Sequence, residues 1–184
     1  MPFKGSDMWE SFEMHLAGFT VKPYGKILVG VDHTNASAVV LQRAIQMAKA
    51  FSAKLIVVHV VSTIHPLEIR QGPQVDATYL EFMKAAGADV IESAMKKLAE
   101  THVDGEVIQA EGIPSKEILA IVEEKGVDLL IVGSKEKVGS LAHLGSVSKA
   151  LSESAKCSLL IERTCEKCWG IQSVKKKHLE TLFK

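Results

Sequence analysis

The chain has 184 residues, of which 47% are hydrophobic and 24% charged; that is enough apolar material for one core and too little length for two ordinary domains. Its 22 basic and 22 acidic residues cancel, which argues against a global field that would draw it to nucleic acid or to an anionic membrane. No apolar run reaches the length of a membrane helix, and Asp7, Glu10 and Glu13 interrupt the stretch where a signal peptide would be apolar, so the expected setting is the cytoplasm without membrane attachment.

Residues 1–23 read as an N-terminal arm, with Met8, Trp9, Phe12 and Leu16 on one helical face. From Lys26 the pattern becomes regular. "KILVGVD" is a short strand, and "SAVVLQRAIQMAKAF" follows with Val40, Leu41, Ala44, Ile45, Ala48 and Phe51 at helical spacing. "AKLIVVHVV" is a second strand whose apolar run is continuous rather than alternating, as expected when helices cover both faces of a parallel sheet. Pro66, Gly72 and Pro73 then break the pattern. Tyr79, Phe82, Met83, Ala86, Val90, Ala94 and Leu98 mark one face of a long helix, which Gly87 weakens only slightly. "DGEVIQAEG" predicts a third strand, and "PSKEILAIVEEKG" a helix with Pro114 in its first turn and Gly126 after its end. "VDLLIVGS", "SVSKALSESA" and "CSLLIER" complete the series as strand, helix and strand. Residues 164–184 read as a C-terminal arm, in which Ile171, Val174, Leu179, Leu182 and Phe183 share a face.

Five strands alternating with four helices predict a doubly wound, Rossmann-like parallel α/β sheet. Ligands of such sheets sit at the carboxyl ends of the strands, where the strand order reverses and neighbouring loops part. The candidate positions are Asp32 after the first strand, Val60 in the second and Gly133 after the fourth. The loop that follows leads into a helix starting near Gly145 and Ser146. Unpaired N–H groups at a helix start bind phosphate oxygens, and glycine admits them closely; the Ser146 and Ser148 hydroxyls add two donors. The same glycines and serines also serve as ordinary turn and cap residues.

Other constellations point to less. Asp32 reads either as a turn or N-cap acid or as an adenine or ribose contact, and His59, inside a continuous apolar strand, as a hydrogen-bonded core histidine. A G-x-S-x-G nucleophile elbow is absent, and "GSVS" lacks the closing glycine. Three cysteines form no disulfide framework; Cys165 and Cys168 lack the second pair a zinc site needs and read as tail thiols, apart from Cys157. Lys175, Lys176 and Lys177 carry no interleaved aromatics and read as a solvated face.

Across residues 25–163 the chain resembles the universal stress protein family, through "ILVGVDHTNAS", "LIVVHVV", "EGIPSKEIL", "DLLIVGS" and "LGSVSKAL" in that order. The resemblance implies a domain over 24–163, a sheet of order 3-2-1-4-5 with adenine nucleotide alpha hydrolase-like architecture, a homodimer through the last strand at 157–163, and in many members an ATP site. Members that bind ATP carry G-x-x-G, nine residues, then G-[S/T]. Gly133 matches the first glycine and Gly145 with Ser146 the last pair; Asp32 and Val60 take the adenosine positions, and Val132, Val147 and Ser148 complete the implied site. Two departures stand out: Glu136 replaces the second glycine, and only eight residues separate it from Gly145. The resemblance thus implies a stress-response dimer that holds ATP or AMP, with Mg²⁺ accompanying a triphosphate, and acts through a protein client. The alternative is an interaction protein that keeps the fold without the nucleotide. Neither reading requires an enzyme, although slow ATP hydrolysis is compatible with the first.

Overall fold

The computed structural model describes residues 23–63, 77–134 and 144–163. The expectations for the two arms, for Pro66 to Pro73 and for Glu136 fall outside these residues. The elements in chain order are β1 (Lys26–Val31), α1 (Asn35–Phe51), β2 (Lys54–Ser62), α2 (Ala77–Thr101) and β3 (Gly105–Gly112), then α3 (Pro114–Lys125), β4 (Leu129–Ser134), α4 (Ser146–Ser154) and β5 (Ser158–Arg163). All four strand pairings are parallel, and the order is β3-β2-β1-β4-β5.

Successive residues of a strand point to opposite faces, and here both faces are buried. Ile27, Val29, Leu55, Val57 and Ile131 pack with Val40, Ala44 and Ala48 of α1 and Ala94 and Leu98 of α2. Leu28, Ile56, Val58, Leu130 and Val132 pack with Ile118, Ile121 and Val122 of α3 and Leu151 of α4. The continuous apolar runs of the inner strands follow from this double coverage. Helix ends are closed locally: Pro114 occupies the start of α3, and Gly126 takes φ 63°, letting the Val127 N–H turn back to the Val122 carbonyl at 3.0 Å.

One sequence expectation fails on α2. Phe82 is 68% exposed, whereas Ala94 and Leu98 are buried. At about 100° per residue, Phe82 stands roughly 120° from Ala94 around the helix, while Gly87 stands within about 20° of it. Gly87 is buried and belongs to the packed stripe, a role its lack of side chain hid.

The amino end of the sheet is tied by Asp128. Its Oδ2 accepts hydrogen bonds from the Gly25 and Lys26 N–H groups, each at 2.9 Å, and its own N–H donates to the Lys26 carbonyl at 2.9 Å. Replacing this carboxylate leaves two strand-start donors without their charged acceptor. Asp128→Ala is expected to lower unfolding free energy by roughly 1–3 kcal/mol in urea titrations, with Asp128→Asn recovering part of the loss; equal stability of wild type and Asp128→Ala would refute the clamp.

Candidate functional site

At the other end of the sheet the pairing stops unevenly. β1 stays paired with β2 as far as Val31↔His59, but its register with β4 ends at Val29↔Ile131. Meanwhile β4 continues along β5 to Ser134↔Arg163. The last residues of β1 and β4 therefore part, and this is where the strand order reverses. Val60 lies one residue past the end of the β1 ladder while remaining paired with Ala110 of β3, and Val132 lies one residue past Ile131. The Val132 side chain is buried in the core, and its backbone is paired along β5.

On the β1 wall, Asp32 caps a tight polar turn. Its Oδ1 accepts from the Thr34 N–H at 2.9 Å, from the Thr34 hydroxyl and from the Ser37 hydroxyl at 2.6 Å, while its own N–H donates to Ser37 Oγ at 2.7 Å. Burial pushes the carboxyl up, but the hydrogen bonds from Ser37 and Thr34 and the nearby His33 outweigh it and hold Asp32 below the ordinary carboxylate value. Asp32 is thus a turn acid and not the helix N-cap, which is Thr34. Its Oδ2 carries no hydrogen bond among the described residues. Thr34 and Ser37 were not singled out from sequence, although the run "DHTNAS" carries both hydroxyls.

The β4 wall ends at Gly133, and α4 begins after Gly145. No side chain caps α4, and the N–H groups of Ser146, Val147 and Ser148 make no hydrogen bond to described residues. Such a start presents converging donors to an anion. Ser146 is exposed, with its hydroxyl free among the described residues, and Val147 packs its side chain toward the core, leaving its N–H. Ser148, expected to offer a hydroxyl to phosphate, is 3% exposed, and its Oγ donates to the Gly133 carbonyl at 2.8 Å. Gly133 has a packing reason as well, since a Cβ there would come within 3.1 Å of Val40 Cγ2.

A hollow of about 330 Å³ at the amino end, lined by Lys26, Lys54, Ile56, Glu106, Glu124 and Lys125, lies away from these groups. Its charges are satisfied internally, by Lys54–Glu106 at 3.3 Å and by the Lys26 ammonium on the Lys125 carbonyl at 2.7 Å. Among the described residues, no group of three metal-ligating side chains gathers, and no helix is long and apolar enough to cross a membrane.

A carboxyl held below its unfolded value stabilises the fold above that value and loses the contribution as pH falls through its folded value. The stability gap between wild type and Asp32→Asn is therefore expected to be fully present at neutral pH and to close below about pH 4. Thermal melts at pH 7 and pH 3 check this, and a gap that is the same at both would show that the turn does not depend on the charge.

The universal stress protein family model matches residues 23–163. Universal stress protein YxiE of Bacillus subtilis is 37% identical over 148 residues, covering 76% of this chain and 99% of the relative. Universal stress protein UspA of Lactobacillus plantarum superposes with a TM-score of 0.65 at 21% identity, over 78% of this chain and 100% of the other. A universal stress protein family member of Arabidopsis thaliana with AMP bound gives 0.57 at 19% identity, over 78% and 94%. Further neighbours hold cAMP or, in Archaeoglobus fulgidus, dAMP. One family model spans the sheet from its first strand to its last, and a 37%-identical relative aligns over nearly its whole length: the chain belongs to the universal stress protein family.

Proposed function

We propose that the chain binds an adenine nucleotide, AMP or ATP, in the crevice where β1 parts from β4, and acts in stress response as a homodimer whose contacts with a protein client follow occupancy. The observation that carries this reading is the early end of the β1–β4 ladder at Val29↔Ile131, which leaves an ionised carboxylate on one wall and an uncapped helix start on the other. The two walls have opposite preferences. Asp32 Oδ2 accepts hydrogen bonds, and so suits a ribose hydroxyl or the adenine amino group; the N–H groups of Ser146 and Val147, after Gly145, suit phosphate. Val60, past its β1 ladder, offers its carbonyl to the edge of the base, and Val132 and Gly133 line the β4 wall. Relatives of the same fold with AMP, cAMP and dAMP bound support an adenine ligand. With no metal-ligating cluster among the described residues, Mg²⁺ would arrive on the triphosphate itself.

The dimer reading rests on β5, an edge strand in which Leu159, Leu160 and Ile161 are only half-buried. Bare apolar edges template further pairing, and joining two copies about a two-fold axis covers both. A ligand-free interaction protein is the second reading. It is favoured by the structural work of Ser148 and Gly133, which gives both residues a reason to be present without a nucleotide.

Denaturing freshly purified protein and weighing the released small molecules by mass spectrometry should yield an adenine nucleotide. Calorimetry should show AMP and ATP binding, weakened about tenfold or more in Asp32→Asn through loss of a charged acceptor. No released nucleotide and no heat with either ligand would leave the interaction-protein reading. Separately, light scattering at micromolar concentration should give twice the chain mass; a monomer would overturn the dimer.

A further inference from the structure

Among the described residues only two polar side chains are buried, His59 and Ser148. Ser148 holds the Gly133 carbonyl on the β4 wall of the crevice. His59 does the corresponding thing on the other wall, where its Nδ1 lies 3.0 Å from the Val31 carbonyl oxygen. Val31 is the residue before Asp32, and it stands beyond the last β1–β4 pair. The Val31 carbonyl faces β2 and meets the His59 ring there, while the N–H of the same peptide, that of Asp32, donates to Ser37 Oγ at 2.7 Å.

The ring's identity is hard to explain by packing. Leu55 and Val57, on the same face of β2, are fully buried aliphatics, and an aliphatic at position 59 would fill the core without a polar atom to satisfy. A carbonyl oxygen only accepts, so Nδ1 must carry the proton. The far side of the ring lies against α2 at Gly87, where a Cβ would come within 3.0 Å of His59 Cδ2 and Nε2 and, equally, of Gln109 Nε2 on β3. Glycine inside a helix is unfavourable relative to alanine, and here its presence leaves space for the imidazole.

We propose that His59 is a positioning residue for the adenosine end of the site: its Nδ1–H fixes the Val31 peptide, and through it the Asp32 turn, while Gly87 admits the ring. The inference rests on the reading of Asp32 as a nucleotide contact, and it deepens that reading without assigning His59 any contact of its own with the ligand.

The test compares wild type with His59→Leu, His59→Asn and Gly87→Ala by AMP calorimetry and by NMR. Leucine keeps bulk and loses the donor; asparagine places a side-chain N–H as many bonds from Cα as Nδ1. Expected are an Nδ1–H tautomer in long-range ¹H–¹⁵N spectra, displaced Asp32 and Thr34 amide signals with about five- to tenfold weaker AMP binding in His59→Leu, and recovery of both in His59→Asn. A core control, Ile45→Val, should lower the melting temperature and leave AMP affinity unchanged. Should His59→Leu not fold, Gly87→Ala, which displaces the ring and keeps its chemistry, is read in its place and should shift the same amides. An Nε2–H tautomer, or Asp32 and Thr34 signals unmoved in the variants, overturns the proposal. If wild type binds no AMP, the nucleotide reading falls, and the tautomer and amide signals still decide whether His59 holds the Asp32 turn.

Discussion

The pairing of β1 with β4 is the constraint on which the rest of the site depends. At the amino end it is tied shut, because the Asp128 carboxylate gathers the N–H groups of Gly25 and Lys26 while the Asp128 peptide bonds back to Lys26. At the carboxyl end it stops at Val29↔Ile131, while the outer pairings of both strands run on. Two strands that are joined at one end and bound to different neighbours at the other must splay, and the splay makes a crevice at the reversal of strand order. A sheet whose central ladder ran to its full length would leave no such opening.

A crevice of this kind exposes backbone groups that the ladder would otherwise have paired, and an unpaired buried carbonyl is unfavourable. Ser148 answers that need for Gly133, and on the other wall His59 adds a bond to the Val31 carbonyl, which faces β2. They fix the rims from which the exposed chemistry projects. That chemistry is polarised: the Asp32 carboxylate, kept ionised by Ser37 and Thr34 against its partial burial, faces one side, and the uncapped start of α4 the other. A ligand with a donor-bearing polar end and an anionic end matches that polarity in only one orientation.

Local pattern carried much of this. The strands were legible because buried parallel strands are apolar without alternation, and α1 and α3 because their apolar spacing follows the helical repeat. Gly126 after α3 and Pro114 at its start were legible because backbone conformation restricts which residues suit those places. Asp32 was legible as a strand-end acid. On α2 the same reasoning misread Phe82 as buried and Gly87 as incidental, since periodicity counts apolar side chains and a glycine has none to count.

By itself the sequence determined the order of the elements and the parallel α/β class, because these follow from patterns local in the chain. Only the tertiary structure decided which polar groups meet. His59 reaches Val31 across 28 residues, Ser148 reaches Gly133 across 15, and Asp128 reaches Gly25 across 103. Each contact depends on strand register and on where a ladder ends, and register is set by the packing of two whole faces at once. The hydroxyl of Ser148, read from sequence as a ligand donor, therefore meets the Gly133 carbonyl in a contact that no local pattern shows.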